Sequence, residues 1–406
     1  MEQAVSPKRF GVNPEEPRNA RTNALDPSAG NPPRQQPPPA SAQSQELAKR
    51  YARVKITLGI VGAGLYVLLT FLLVASGATS RIEAAVRGVS QNDYIALLLF
   101  VAVLGLFETV VSAPLKYYSG FHLEHKYHLS AQRFRAWVWV GMKGMFVGLM
   151  IGLPVLLAFY YCLKTFGDLW WLPVGVLLFL LSVVLARLAP VLIFPLFYKF
   201  RPLEDGKLRD RILAQCHTVG MSVKGLFVFD LSKNTKKANA AFTGIGKSKR
   251  IILGDTLIAN FTDDEIETVF AHELGHHKLK HIWVMLLAGA INSFLGLFVA
   301  AELYRASLSW FGFSSLDQLA ALPLLSLWLG AYSLVAGPLS NMLSRSHERA
   351  ADRYAVSMSG NKEAFTNALR KLAAINLADT SPHPLVEFLF HSHPSIEKRI
   401  RAVERS

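Results

Sequence analysis

The chain has 406 residues, of which 51% are hydrophobic and only 18% are charged. Soluble domains carry about 25% charged residues, so this composition favours a membrane protein. The two cysteines, Cys162 and Cys216, form no CxxC pair, which excludes a disulfide framework and a thiolate zinc site. The formal net charge of +14 suits nucleic-acid binding only if the basic residues are suitably placed along the chain.

A polar segment, residues 1–48, comes first and contains the run Pro37-Pro38-Pro39. It is rich in Pro, Gln, Ser and Asn and has no apolar stretch. This composition predicts a disordered tail and not a signal peptide.

Six long apolar runs follow, each close to or above the roughly 20 residues that a helix needs to cross a bilayer. They occupy residues 56–76, 94–113, 137–162, 170–195, 282–303 and 321–343. The predicted fold class is therefore mainly α, a multi-pass transmembrane helical bundle with a small α+β unit. The predicted order is a tail, four spans, the α+β unit, two spans and a C-terminal helical part, at 1–48, 49–199, 200–281, 282–343 and 344–406.

The charges of the loops predict the orientation of these spans. The segments before the first run and after the second are basic, whereas the loops at 77–93 and 163–169 are balanced. Because cytoplasmic loops carry the excess of Lys and Arg, we predict that the N-terminus, the 200–281 unit and the C-terminal segment are cytosolic. Most of the positive charge then serves orientation and contact with lipid headgroups, which argues against a nucleic-acid partner.

The 200–281 unit has two short strand patterns, at residues 226–229 and 250–253. Gly244 and Gly246 predict a turn before the second strand. A helix follows, because Thr262-Asp263-Asp264-Glu265 is a capping box with acids at the positive end of the helix dipole.

On that helix, His272 and His276 are one turn apart and face the same way, as two zinc ligands must. Glu273 follows the first histidine and is placed to act as general base toward an attacking water. This spacing is typical of zinc metalloproteases. The alternative is a group of polar residues at a solvated helix end.

A catalytic zinc site needs a third protein ligand and one open position. Glu348 and Asp352 share a helix face after the last apolar run, so Glu348 could bind zinc while Asp352 orients a ligand histidine. The alternative is a solvated acid pair that forms salt bridges with Arg345 and Arg349. Topology favours a ligand, because Glu348 returns to the same side of the membrane as His272. The competing ligands are histidines, at positions 277, 281 and 347.

Two further stretches carry groups that suit peptide hydrolysis. His393 and Arg399 offer donors to the oxyanion that forms when water attacks a peptide carbonyl, and the alternative is a polar C-terminal turn. Asn239-Ala240 could begin an exposed edge strand that pairs with an extended substrate.

Together these residues resemble the CAAX prenyl protease 1 family of membrane-embedded zinc endopeptidases. The landmarks run from about Gly120 to Arg399 and so cover most of the chain. Besides the metal motif they include Leu123-Glu124-His125-Lys126, Pro195-Leu196-Phe197, Asn239-Ala240, Asp255-Thr256-Leu257 and His393-Pro394. The metal motif is shared by many proteases, whereas the order of all these landmarks is much more specific.

The resemblance implies one Zn²⁺ ion per chain, held by the two motif histidines and Glu348. It implies that His393 and Arg399 lie near the reacting carbonyl, and that Asn239-Ala240 belongs to a strand that grips the substrate backbone. The helices are expected to enclose a large water-filled chamber. The implied substrate has a prenylated C-terminal CAAX cysteine, and the reaction releases a tripeptide.

Compared with eukaryotic members of this family, the chain has six predicted spans instead of seven and a short segment between Leu257 and His272. These differences favour a bacterial member in the cytoplasmic membrane, with the active site and both termini cytosolic. Two alternatives remain: a quality-control zinc protease without prenyl specificity, and a non-proteolytic lipid- or isoprenoid-binding protein with structural zinc. The intact set of His272, Glu273 and His276 argues against the second, because a structural site has no use for the glutamate. The expected partners are a peptide or protein substrate and membrane lipids, and not nucleic acid.

Overall fold

The computed structural model describes residues 42–221, 225–243 and 250–405. The predicted turn at Gly244 and Gly246 and residues 1–41 of the predicted tail lie outside this part of the chain. Residues 42–48 open the first helix, so the tail prediction is wrong for them. The reason is that this segment consists largely of good helix formers and that Ala48 is buried.

Within the described residues, six helices are long and apolar enough to cross a membrane, as the sequence predicts. With the short turns that extend them, they are Ala42–Ala75, Asp93–Lys126, Phe134–Leu169, Trp171–Phe197, His281–Phe311 and Leu319–Ser359. They carry many exposed large apolar side chains, which a bilayer would cover. The fold class is therefore confirmed as a mainly helical membrane bundle.

The α-helices of the described residues are numbered in chain order. They are α1 (Ala42–Ala75), α2 (Ala78–Val89), α3 (Asp93–Tyr117), α4 (Leu123–Lys126), α5 (Phe134–Phe166), α6 (Trp171–Leu188), α7 (Phe194–Phe197), α8 (Lys207–Thr218), α9 (Asp255–Asn260), α10 (Asp263–Lys278), α11 (His281–Ser307), α12 (Leu322–Ser359), α13 (Lys362–Ile375), α14 (Pro384–Phe390) and α15 (Ile396–Arg405). A π-helical turn joins α6 to α7 around Pro190, which cannot donate a backbone hydrogen bond.

A four-stranded sheet lies outside the bundle of long helices. Its strands are β1 (Phe200–Pro202), β2 (Leu226–Phe229), β3 (Ala240–Thr243) and β4 (Arg250–Gly254). Their order is β1-β2-β4-β3, and only β2 and β4 are parallel. The two predicted strands are confirmed as β2 and β4. Ile251 and Leu253 of β4 point to one face, where they share a core with Phe270 and Leu274 of α10.

The last membrane helix continues well beyond the apolar run that predicts it. α12 has 38 residues, which at 1.5 Å per residue is about 57 Å, compared with about 30 Å for a bilayer core. The predicted boundary between residues 343 and 344 therefore falls inside one continuous helix. The second half of α12 packs against α10 and carries Glu348 and Asp352.

Candidate metal centre

Helix α10 carries both motif histidines and begins with the predicted capping box. Thr262 Oγ1 accepts a hydrogen bond from Glu265 N at 3.3 Å, and Glu265 Oε2 accepts one from Thr262 N at 2.8 Å. The buried Glu265 carboxylate also accepts from Lys371 Nζ at 2.7 Å, which joins α10 to α13. The helix start is thereby fixed, and the helical period then places His272 and His276 on one face.

In the described part of the chain, one group of His, Cys, Asp or Glu residues could hold a metal ion: His272, His276 and Glu348. The two histidine Nε2 atoms are 3.2 Å apart, and Glu348 Oε1 and Oε2 lie 3.2 Å from His276 Nε2 and 3.4 Å from His272 Nε2. Two atoms bound tetrahedrally to zinc at about 2.0 to 2.1 Å lie about 3.3 Å apart. The three side chains therefore fit one zinc ion. Buried Glu348 Oε2, which makes no hydrogen bond to the described residues, is an acceptor that a metal would satisfy.

Glu348 reaches the histidines because α10 and α12 approach each other closely. A Cβ atom at Gly275 would lie 3.3 Å from the Ala351 Cα atom and 3.2 Å from the Tyr354 Cβ atom. Ala351 is fully buried in this contact. Small residues on both helices therefore bring a carboxylate of α12 to the histidines of α10.

Asp352 connects His272 to Arg399. Its Oδ1 lies 2.9 Å from His272 Nδ1, and its two oxygens accept hydrogen bonds from Arg399 Nη2 at 2.6 Å and Nε at 2.8 Å. Glu348 and Asp352 are only 5% and 4% exposed. The alternative of a solvated acid pair is therefore wrong.

Arg345, a member of that alternative, instead holds the end of α14. Its Nη1 donates to Glu387 O at 3.0 Å and to His391 O at 2.6 Å, which fixes the C-terminal turn of α14. The residues after α14 then carry His393 to the site, where its Nε2 lies 3.4 Å from Glu348 Oε1. The His393 side chain remains 61% exposed, so it is accessible to a substrate.

Glu273 is partly buried and is not among the three candidate ligands. Burial alone would lower the pKa of Arg399, but the carboxylates of Asp352, Glu348 and Glu273 outweigh this effect and raise it. The charge of Glu273 therefore contributes to the pKa of the same guanidinium that binds Asp352.

The histidines that compete with Glu348 lie outside the candidate ligand group. His281 Nδ1 lies 3.0 Å from His276 Nδ1, the ring nitrogen that does not face Glu348. The rings of His281 and His347 are stacked, with centroids 4.1 Å apart and planes 9° apart. Sequence reasoning weighed His281 only as a ligand and missed this contact, because α10 ends at Lys278 and the period of that helix says nothing beyond it.

Asn239-Ala240 leads into β3, which is an edge strand in the described sheet. One side of β3 pairs with β4, and α10 contacts the strand. Asn376 holds Ala238, the residue that precedes Asn239. Asn376 Oδ1 accepts a hydrogen bond from Ala238 N at 2.9 Å, and its Nδ2 donates one to Ala238 O at 3.3 Å. Sequence reasoning missed Asn376, which is 138 residues away in the chain. Pairing of β3 with a substrate stays a prediction.

Comparisons with known proteins agree with this site and this fold. The sequence model of peptidase family M48 matches residues 202–406, and the model described as CAAX prenyl protease N-terminal, five membrane helices, matches residues 28–199. The chain is 32% identical to the uncharacterized metalloprotease YhfN of Bacillus subtilis, over 88% of this chain and 85% of that protein. It is 33% identical to CAAX prenyl protease 1 of Saccharomyces cerevisiae, over 76% and 72% of the two chains.

Solved structures include a similar fold. The crystal structure of S. mikatae Ste24p matches with a TM-score of 0.80 and 29% sequence identity, over 89% of each chain. The matched M48 range contains α10 and the second half of α12, and so all three candidate ligands. The chain therefore belongs to peptidase family M48 and, within it, to the CAAX prenyl protease 1 family of multi-pass membrane zinc metalloproteases.

Proposed function

We propose that the protein is an endopeptidase that holds one zinc ion per chain. His272, His276 and Glu348 are its protein ligands, and Asp352 orients His272 through Nδ1. The separations of 3.2 to 3.4 Å among the three ligands are the observation that carries this proposal. When bound there, zinc supplies a Lewis acid that lowers the pKa of water and polarises the scissile carbonyl.

The neighbouring side chains carry out the proton transfers. Glu273 takes a proton from the attacking water and later passes it to the leaving amine. His393, which is exposed beside Glu348, donates to the oxyanion that develops on the scissile carbonyl. Arg399 holds Asp352 through two hydrogen bonds and also adds positive charge 3.9 Å from Glu348 Oε2. In this proposal Arg399 therefore acts mainly through Asp352, and His393 is the donor nearest the substrate.

The role of Glu273 is tested with Glu273→Gln. Glutamine has nearly the same shape but cannot accept the proton, so we expect one zinc ion per chain to remain while turnover falls by about 10² to 10⁴-fold. Metal analysis and peptide cleavage by the purified protein measure the two effects, with exposed Glu204→Gln as the control. Normal cleavage by Glu273→Gln would remove this residue from the mechanism.

The substrate backbone binds in this proposal as an additional strand along the edge of β3 that faces away from β4, beginning at Asn239-Ala240. Main-chain hydrogen bonds at a sheet edge bind extended peptides regardless of their sequence. The edge position of β3 and its contact with α10 support this arrangement, because a peptide there runs beside the helix that carries His272 and His276.

The proposed substrate is a protein with a prenylated C-terminal CAAX cysteine, from which a tripeptide is released. The relatives named CAAX prenyl protease 1, with identities up to 33%, support this substrate class. A cavity of about 930 Å³ among the long helices also supports it. The cavity is lined mainly by apolar side chains of α1, α3, α5, α6, α11 and α12, and such a lining suits an apolar group.

A farnesylated CAAX peptide and its unprenylated twin test the substrate class. Purified protein is incubated with each peptide, with and without a zinc chelator, and the products are identified by mass spectrometry. We expect cleavage of the farnesylated peptide alone, abolished by the chelator. Equal chelator-sensitive cleavage of both peptides would keep the protease and reject prenyl specificity, in favour of a quality-control role.

The same proposal includes the location of the protein. It is a bacterial cytoplasmic-membrane protein in contact with lipids, with both termini and the active site in the cytosol. The basic segments before the first predicted span and after the second support this orientation. Its proposed parts are the N-terminal four-span region, the α+β unit, the two later spans and the C-terminal helices. The first of these begins at residue 42, and the last boundary lies within α12.

A further inference from the structure

His281 reaches the metal centre from the start of a membrane helix. It is the first residue of α11, and Lys280 before it has a φ angle of 57°, so the chain turns sharply after α10. This turn directs the buried His281 ring back toward α10, until its Nδ1 lies 3.0 Å from His276 Nδ1.

The protonation of a metal-binding histidine decides which of the two rings donates this hydrogen bond. His276 Nε2 faces His272 and Glu348, so if that nitrogen binds a metal, the His276 proton must be on Nδ1. His276 Nδ1 then donates the hydrogen bond, and His281 Nδ1 accepts it. This places the His281 proton on its own Nε2.

In both candidate ligand histidines, the Nδ1 nitrogen then faces a polar group, but the two groups differ. His272 Nδ1 lies 2.9 Å from a carboxylate oxygen of Asp352, whereas His276 Nδ1 lies 3.0 Å from an imidazole nitrogen. A hydrogen-bond acceptor on the second nitrogen fixes the ring orientation of a metal-binding histidine. A neutral acceptor for His276 does this without adding a further negative charge to the carboxylates of Glu348 and Asp352.

His347 supports His281 in the orientation that this contact needs. The two rings are stacked nearly in parallel, 4.1 Å apart. His347 directly precedes Glu348 on α12, so the helix that supplies the third candidate ligand also holds the support. A rotation of the His281 ring would lose the stacking and the hydrogen bond together.

We propose that His281 is a positioning residue, which accepts the Nδ1 hydrogen bond of His276 and fixes that ligand toward the metal, with His347 as its stacking support. The inference rests on the proposed role of His276 as a zinc ligand. Its test measures metal binding and not cleavage, so it can fail while the protease function stands.

Zinc affinity is measured by competition with a chelator for the parent protein, His281→Ala and His281→Asn. Alanine removes the acceptor, so we expect the Kd for zinc to rise about 10- to 100-fold, as it does when such partners of ligand histidines are lost. The Asn Oδ1 atom lies close to the place of Nδ1 and can accept, so we expect His281→Asn to bind zinc nearly as the parent does. His217→Ala, at an exposed histidine of α8, is the matched control.

Cobalt(II) absorption spectra give a second readout, because they report the geometry of the ligands. We expect a changed spectrum for His281→Ala and a parent-like one for His281→Asn. Unchanged affinity and spectrum in His281→Ala would overturn the proposal. Equal losses in the Ala and Asn variants would also overturn it, because the acceptor would then not be what matters.

If His281→Ala does not fold, two other variants test the positioning role of His281. His347→Leu places a side chain of similar size beside His281 but removes the ring stack, so we expect weaker zinc binding than in the parent. His281→Asn is expected to retain parent-like affinity. Parent-like affinity in His347→Leu together with a loss in His281→Asn is the opposite pattern and rejects the proposal.

Discussion

Two carboxylates beside the buried His272 favour the protonated form of its imidazole, and zinc has to displace that proton when it binds. Burial lowers the pKa of His272, but the carboxylates of Asp352 and Glu348 outweigh this effect and raise the pKa to about 9. Only the neutral imidazole binds a metal, so we expect zinc binding at pH 7.5 to release about one proton from His272. A histidine with the usual pKa of about 6.5 would release only about 0.1 proton at this pH.

Titration calorimetry in two buffers with different ionisation enthalpies measures this release. The share that comes from His272 should disappear above about pH 10, where this ring is already neutral before zinc binds, whereas the zinc-bound water contributes a share of its own. Asp352→Asn removes one of the two charges that raise the pKa, so the variant should release fewer protons at pH 7.5. A parent protein that releases almost none at this pH contradicts the assigned pKa.

The sequence predicts the metal centre only where a local pattern carries the information. A spacing of one helical turn predicts that His272 and His276 share a helix face, and the same spacing predicts this for Glu348 and Asp352. The partners that come from distant parts of the chain leave no such pattern. Lys371 is 106 residues from Glu265, and the contact between His281 and His276 depends on a turn between two helices.

Contact between α10 and α12 is the condition for the three ligands to meet. Gly275→Ala would place a Cβ atom 3.3 Å from the Ala351 Cα atom and 3.1 Å from Tyr354 Cδ1, tighter than ordinary contact. We expect the helices to separate slightly, with a loss of about 1 to 3 kcal/mol in stability and weaker zinc binding. Melting temperature and zinc affinity measure the effect.

Gly330→Ala on α12 is the matched control, because a Cβ atom there meets no atom within 4 Å. Alanine favours a helix by about 1 kcal/mol over glycine, so this control should be neutral or stabilising. If Gly275→Ala behaves like Gly330→Ala, close packing at Gly275 is not what positions Glu348.

The buried ion pair of Glu265 and Lys371 joins the start of α10 to α13. Lys371→Met leaves the Glu265 carboxylate buried without its counter-charge, so we expect a destabilisation of about 3 to 5 kcal/mol. Glu265→Gln combined with Lys371→Met removes both charges and should recover part of the loss. Thermal unfolding in one detergent measures the series, with exposed Lys362→Met as the control. Equal melting temperatures for Lys371→Met and Lys362→Met would contradict a structural role for the pair.

At the scale of elements, periodicity and composition predict the spans and the strands β2 and β4. They do not predict that α12 runs from the membrane to the metal centre without a break. Hydropathy drops near residue 343 because the surroundings change from lipid to protein and water, whereas the backbone stays helical. The order of the strands also depends on long-range pairing, so the edge position of β3 becomes clear only in the folded protein.

At the scale of the whole molecule, the metal centre constrains how often the chain crosses the membrane. His272 and Glu348 lie 3.4 Å from each other, and the chain passes through the two membrane helices α11 and α12 between them. An even number of crossings returns the chain to the same side, as this contact requires. Six membrane helices among the described residues would likewise return the C-terminal helices to the side on which residue 42 lies.

Labelling of single cysteines tests on which side the metal centre lies. Cys162 and Cys216 are both buried, so their background reaction should be low. Ser314→Cys lies in the exposed loop between α11 and α12, and Glu204→Cys follows β1, where the glutamate side chain is 86% exposed. Because the basic loops predict a cytosolic metal centre, a membrane-impermeant maleimide should label Ser314→Cys in intact spheroplasts and Glu204→Cys only after permeabilisation. The reverse pattern would invert the orientation, and labelling of both without permeabilisation would contradict the membrane crossing of α11, which separates these two positions.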